Sequence, residues 1–332
     1  MALLEVKNLK KIYTTRLGGN KVQALDNVNF SVEQGEYVAI MGESGSGKTT
    51  LLNIMASLDK PTKGAVILAG KNMADIKQKE LCAFRRDNLG FVFQDFNLLD
   101  SLSLKDNIFL PMVLAGWEYG KMEERLKPLA KKLGIAELLE KYPYEVSGGQ
   151  KQRTAVARAL ITEPQIVLAD EPTGALDSKA SDRLLRIFAE VNEDGQTIVM
   201  VTHSIQAASR AGRVLFIKDG CVFNQIYRGN LSDEEMYRKI SDTLTVLQTE
   251  KTDLGPGHDG IGDKDDRRAD RSREAEKEGR KASRDENERR ADREMDCNRN
   301  AGRADREMDC NGNAGKTGSS VGRNVHQGKE EA

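Results

Sequence analysis

Between residues 3 and 226, short apolar runs alternate with longer stretches of helical character, the pattern of an α/β domain with a largely parallel core sheet. Residues 36–41 (EYVAIM) form the first clear core strand. That strand runs straight into Gly42, and after a glycine-rich loop residues 49–55 read as a helix. Residues 165–169 (QIVLA) and 197–201 (TIVMV) are apolar runs rich in Ile and Val with polar or turn residues at their ends, and both predict buried strands. Upstream, residues 2–32 predict antiparallel strands joined through a turn at Gly18, Gly19 and Asn20. Residues 77–86 and 121–141 predict helices that interrupt the α/β alternation, as an inserted helical subdomain over about residues 77–160 would. The α/β domain is expected to span residues 1–229, with a short helical extension over 230–248.

From residue 249 to Ala332 there is no Phe, Trp or Tyr, while Arg, Asp, Glu, Gly and Asn dominate. Such a segment buries too little apolar surface to offset its ordering entropy, so it is expected to be disordered. It contains a thirteen-residue duplication, RADREMDCNRNAG at 290–302 followed by RADREMDCNGNAG at 303–315. Two copies are too few for a solenoid, and sequence slippage accounts for them.

Charge narrows the function. The 51 Lys and Arg nearly cancel the 52 Asp and Glu, so no overall charge draws the chain to nucleic acid or an acidic membrane surface. No apolar run approaches the ~20 residues needed to cross a bilayer, nor does the N-terminal stretch read as an export signal, so a membrane role would go through a partner. Cys82, Cys221, Cys297 and Cys310 form no C-x-x-C pair and are expected to be free thiols in a reducing cytosol.

The chemistry begins at Gly42-Glu43-Ser44-Gly45-Ser46-Gly47-Lys48-Thr49, which fits G-x-x-x-x-G-K-[ST] between a predicted strand and a predicted helix. Glycines let backbone N–H groups turn onto phosphates, the helix N-terminus adds positive potential, Lys48 reaches the β- and γ-phosphates, and Thr49 offers a hydroxyl to Mg²⁺, with Thr50 next in line. A second element, IVLADE at 166–171, delivers Asp170 and Glu171 at the C-terminal end of a buried strand, where ligands of open α/β sheets bind. Asp170 suits Mg²⁺ and Glu171 suits an attacking water.

The third element, Val146-Ser147-Gly148-Gly149-Gln150, opens another helical run with a small anion-binding turn. With it the chain resembles the ABC ATPases, whose signature is usually written LSGGQ. Further positions match that family. Tyr13 stands where an aromatic stacks on adenine, Gln94 where a glutamine contacts the metal and reports the nucleotide state, and Asp177 in the loop that crosses the dimer interface. His203 stands where a histidine contacts the γ-phosphate, and it is followed by Ser204 where many relatives have Asp.

The resemblance covers residues 3–229. It implies a P-loop NTPase core with a mainly parallel sheet, an antiparallel β subdomain and an inserted α-helical subdomain. It further implies a head-to-tail homodimer in which each ATP·Mg²⁺ lies between Lys48 of one chain and Ser147 of the other. The dimer would drive an integral membrane permease from the cytoplasmic face, with a coupling helix docking around residues 98–112. The wording of KYPYEVSGGQKQRTAVARA and NLLDSLSLKDN places the chain nearest the bacitracin and lantibiotic resistance transporters, with lipoprotein release and macrolide efflux as alternatives. ABC ATPases of chromosome maintenance or DNA repair interrupt the cassette with a long coiled coil and ribosome-associated ones carry two cassettes, whereas this cassette is single and contiguous. A catalytically dead subunit would lack Glu171 or His203.

Overall fold

The computed structural model describes residues 2–14 and 21–249. The expected turn at Gly18–Asn20, the duplication, Cys297, Cys310 and the expected disorder of residues 250–332 lie outside the described residues.

The described chain runs β1 (Ala2–Thr14), β2 (Lys21–Glu33), β3 (Tyr37–Gly42), α1 (Lys48–Met55), β4 (Lys63–Leu68) and β5 (Lys71–Asn72). It continues through α2 (Gln78–Asn88), β6 (Leu89–Val92), α3 (Leu104–Leu114), α4 (Tyr119–Leu133) and α5 (Gly148–Leu160). It ends with β7 (Ile166–Asp170), α6 (Ser178–Glu193), β8 (Thr197–Val201), α7 (Ile205–Ala208), β9 (Arg213–Lys218), β10 (Cys221–Tyr227) and α8 (Asp233–Thr249).

Two sheets form. One has the order β10-β9-β3-β8-β7-β6, parallel throughout except for the antiparallel β9–β10 hairpin. The other, β2-β1-β4-β5, is antiparallel. The parallel sheet is covered on both faces, which is why its strands read as unbroken apolar runs. Along β3, Tyr37, Ala39 and Met41 pack into a core shared with α3 to α6, while Val38 and Ile40 face α1 and the antiparallel sheet. The same alternation divides Val167 and Ala169 from Ile166 and Leu168 on β7, and Ile198 and Met200 from Val199 and Val201 on β8.

In β1, Val6 and Leu9 are both buried although three residues apart. A register shift between them, with Asn8 at φ 48°, returns Leu9 to the inner face. Helix α1 buries Leu51, Leu52, Ile54 and Met55 against that core, which fixes its N-terminus at the C-terminal edge of the parallel sheet.

Two expectations are refined. The stretch 121–141 is not one helix: α4 stops at Leu133 because Gly134 takes a left-handed cap (φ 62°), and the chain continues as a short 3-10 turn at Ala136–Leu138. Within the expected helical insertion, β6 belongs to the parallel sheet, pairing with β7 from Leu89↔Ile166 to Val92↔Ala169. Four residues with a central glycine carry too little periodicity to announce a strand.

Candidate functional site

β3 ends at Gly42 and α1 starts at Lys48, so the loop between them is forced into a tight cradle. Gly47 caps α1 in the left-handed region (φ 100°), and a Cβ there would lie 2.4 Å from the carbonyl oxygen of Ala24 on β2. Only glycine fits on both counts. The Lys48 ammonium, with the residue 9% exposed, donates to the carbonyls of Gly42 (2.9 Å) and Glu43 (2.8 Å), holding the loop closed over its own helix N-terminus. Burial lowers the pKa of Lys48, opposed by the carboxylates of Glu171 and Asp170.

Those carboxylates arrive on β7. Asp170 is its last residue, and its Oδ1 is buried with no hydrogen-bond partner among the described residues. Burial raises the pKa of Asp170, the neighbouring Glu171 adds to the rise, and Lys48 opposes it. An orphaned carboxylate oxygen within reach of the Lys48 charge, at the end of the strand that leads to Glu171, fits a hard divalent cation held by oxygen donors. Glu171 turns out of the strand in a left-handed conformation (φ 44°), with its N–H bonded to the carbonyl of Val201 on β8 (2.9 Å). A non-glycine residue seldom adopts that region, and here it swings the Glu171 carboxylate back towards His203. Oε2 of Glu171 accepts from the His203 backbone N–H at 3.1 Å and lies 2.9 Å from His203 Nδ1.

Ala24, Ser44, Gly45, Gly47, Lys48, Thr49, Thr50, Glu171 and His203 line one cleft of about 340 Å³. Eight of these nine were legible in the sequence. Ala24 was not; its place follows from the close approach of β2 to Gly47, which no local motif encodes.

The other expected residues lie elsewhere. Ser147 caps α5: its hydroxyl accepts from Gln150 N–H (3.4 Å) and its own N–H donates to Gln150 Oε1 (2.8 Å), a reciprocal capping box. Gly148 faces Leu176 and the carbonyl of Ala175, and Gly149 packs against Ala180. Asp177 caps α6, accepting from Ala180 N–H at 2.8 Å. Gln94 stands beside Gly174, just past Glu171, with a Cβ on that glycine 3.2 Å from Gln94 Nε2. Tyr13 stands near the end of β1, 42% exposed, its hydroxyl donating to Asp59.

Two residues that the sequence did not single out organise these segments. Gln152 is fully buried and donates through Nε2 to the carbonyls of Phe93 (3.1 Å) and Pro172 (2.8 Å), tying the backbone beside Gln94 to the backbone beside Glu171. Arg158 donates to the carbonyls of Phe96 (2.9 Å) and Asn97, two residues held at φ 63° and 48°. Near them a groove of about 380 Å³ opens between α2, β6 and α3, lined by Phe91, Phe93, Leu110, Pro111 and Leu114 among others.

A cradle of backbone donors with a buried lysine, a carboxylate with one orphaned oxygen and a second carboxylate held by a histidine is equipped to bind a nucleoside triphosphate and direct water at its terminal phosphate. Comparison with known proteins agrees. The family profile described as "ABC transporter" matches residues 25–174. The bacitracin export ATP-binding protein BceA of Halalkalibacterium halodurans is 49% identical over 248 residues, 74% of this chain and 97% of that protein. The macrolide export ATP-binding/permease protein MacB of Hyphomonas neptunium is 42% identical over 233 residues, 70% of this chain and 36% of that larger protein. Among solved structures, the dimeric post-hydrolysis state of the ATP-binding cassette MJ0796 with ADP and Pi matches at a TM-score of 0.63 and 40% identity, covering 69% of this chain and 99% of that one. With the cassette covered nearly end to end at such identity, the chain belongs to the ABC transporter family, as its ATP-binding and ATP-hydrolysing subunit.

Proposed function

We propose that two copies of this chain close head to tail on two ATP molecules and drive a separate membrane permease in resistance to, or export of, peptides of the bacitracin type. The observation that carries the two-copy reading is the separation within one copy: Lys48 and Glu171 share a cleft that Ser147, Gly148 and Asp177 do not line. The Ser147 turn is nonetheless built as an anion-binding helix start, so the phosphate it serves belongs to the site of a second copy. The MJ0796 cassette, dimeric in its post-hydrolysis state with ADP and Pi, supports a two-copy reading.

In this reading Lys48 and the loop N–H groups hold the β- and γ-phosphates, and Tyr13 stacks on adenine. Thr49, Asp170 and Gln94 would hold Mg²⁺, which when bound neutralises phosphate charge. Glu171 orients and deprotonates the attacking water, and His203 holds that carboxylate in place and faces the γ-phosphate. Asp177 lies in the loop that meets the second copy. Closure is favoured by ATP and relaxed by ADP, so work comes from the different affinities of the two states. Among the described residues no helix is long and apolar enough to cross a membrane. In this reading the permease is a separate chain, and this one acts through it at the cytoplasmic face. The groove along α3 offers an apolar floor for a coupling helix, overlapping the expected docking region of residues 98–112.

The peptide class rests on the similarity to the bacitracin export protein; the similarity to MacB keeps macrolide efflux as the second reading. Growth of the producing cell in bacitracin, with intact chain or Glu171→Gln at equal expression and the neighbouring permease present, separates them. Resistance lost with Glu171→Gln ties hydrolysis to peptide defence. Resistance retained while ATPase activity is abolished removes the peptide reading and puts macrolide efflux or lipoprotein release ahead.

A further inference from the structure

Beside the expected adenine site, Asp59 holds two side chains at once. Its Oδ2 accepts from the Tyr13 hydroxyl at 2.8 Å, and its Oδ1 accepts from the Lys11 ammonium at 2.6 Å and from Lys60 N–H at 2.7 Å. Lys11 also donates to the carbonyl of Lys60 at 2.7 Å, and its ammonium lies 4.7 Å from the centroid of the Tyr13 ring. Burial disfavours the charge on Asp59, but the hydrogen bonds from Lys11, Tyr13 and Lys60 outweigh it and hold the carboxyl below the usual carboxylate range. At neutral pH it is therefore a double acceptor.

The segment that carries Asp59 is anchored at both ends. Leu58 N–H and Asp59 N–H both donate to the carbonyl of Asn53 in α1, at 2.8 and 3.2 Å. On the other side Thr62 N–H donates to the carbonyl of Lys10 at 2.8 Å and Ile12 N–H donates to Thr62 Oγ1 at 2.9 Å, stitching the turn to β1. Helix α1 is the one whose N-terminus forms the phosphate cradle. The ring of Tyr13 is thus tied at its hydroxyl, and covered on one face by a cation, through a turn continuous with the phosphate-binding helix.

We infer that Asp59, with Lys11, is a positioning residue for the nucleobase: it fixes the ring of Tyr13 relative to the phosphate cradle, so that base and phosphates are received by one preset frame. This rests on the reading that Tyr13 stacks on adenine. An exposed tyrosine otherwise samples several χ1 wells, and a ligand that must select one loses affinity by the fraction of time the others are occupied. The cation over one face also withdraws electron density from the ring, which favours stacking by an electron-rich purine on the other.

The test compares ATP with inorganic tripolyphosphate, which needs the phosphate cradle and has no base, as equilibrium ligands of the full chain. Asp59→Ala is expected to weaken ATP about three- to tenfold and leave tripolyphosphate unchanged. Tyr13→Phe, which keeps the ring and loses its tether, is expected to do the same, and the double variant to be no weaker than Asp59→Ala alone. Asp59→Asn, which keeps an acceptor for the phenol, is expected to recover part of the loss. Equal weakening of ATP and tripolyphosphate in Asp59→Ala would show a role in the fold of α1 instead and overturn the inference. So would unchanged ATP affinity in Asp59→Ala alongside a loss in Tyr13→Ala. Unchanged ATP affinity in Tyr13→Ala would remove the stacking reading itself, and the inference with it.

Discussion

His203 and Glu171 meet at a single carboxylate oxygen: Oε2 of Glu171 accepts the backbone N–H of His203 at 3.1 Å and lies 2.9 Å from its Nδ1. Both contacts fall on Oε2, which leaves Oε1 to take a proton from water. Glu171→Gln keeps the shape and loses the base, so hydrolysis is expected to fall by about 10² to 10⁴ while ATP binding persists. His203→Ala is expected to cost less, because the backbone N–H still holds Oε2. Combining the two should be no worse than Glu171→Gln alone, since both act through one group. Phosphate release and equilibrium ATP binding on the same samples check this, and a fully additive loss would show that the histidine acts apart from the carboxylate.

Gly47 carries a second prediction. Its φ of 100° and the 2.4 Å approach of a Cβ to the carbonyl of Ala24 mean that Gly47→Ala must push β2 away or unwind the first turn of α1. Either change spreads the phosphate cradle. ATP affinity is expected to fall at least about tenfold, equivalent to ~1.4 kcal/mol, read by isothermal titration. Gly45→Ala tests the argument from the other side. Its φ is 80° but nothing among the described residues lies within 4 Å of the added Cβ, so the backbone strain remains and the loss should be smaller.

The contrast between Lys48 and Ala24 shows what the sequence could disclose. Lys48 and Thr49 open the helix after β3, while Asp170 ends β7 and Glu171 follows it. Both strands read as continuous apolar runs because both sheet faces are covered, so local pattern suffices to place these residues. Ala24 enters the cleft only because β2 crosses behind Gly47, a relation between two sheets that leaves no mark on the residues around it. Asp59 is hidden for the same reason, being 46 residues from the Tyr13 it holds. The strand β6 escaped because Leu89–Val92 is too short for a period to emerge, and it is defined by its pairing with β7. Gln152 lay in plain view just past the Ser147 turn, yet its surroundings read only as a helical run, and burial reveals that its amide points inward to two carbonyls.

That amide makes Gln152 a brace between the Gln94 and Glu171 segments. Gln152→Met fills the same volume but strands the carbonyls of Phe93 and Pro172. A loss of about 1–3 kcal/mol in unfolding free energy is expected, measured by urea denaturation. Turnover should fall by more than ATP affinity, because the two segments frame the γ-phosphate end of the site while the cradle on α1 is untouched. Equal loss in both would show that Gln152 serves stability alone.

Tyr37 is buried at the start of β3, and among the described residues its hydroxyl finds only the Met200 sulfur, at 3.7 Å. Burial pushes its pKa far above the ordinary value of 10.0, against the opposing charges of Arg210 and Arg228. The folded chain therefore keeps this proton at a pH where the unfolded chain releases it. Since the unfolded state then binds fewer protons, stability falls as pH rises past about 10 and is unaffected below. Tyr37→Phe removes both the poorly satisfied hydroxyl and this alkaline dependence. At pH 7 the variant should be within about 1 kcal/mol of the parent, because a thioether is a weak acceptor and little is lost with the bond. Above pH 10 the variant should become the more stable of the two. Denaturation midpoints at pH 7 and pH 11 decide it: parallel decline in both proteins would mean that Tyr37 ionises as readily in the folded core as in the unfolded chain.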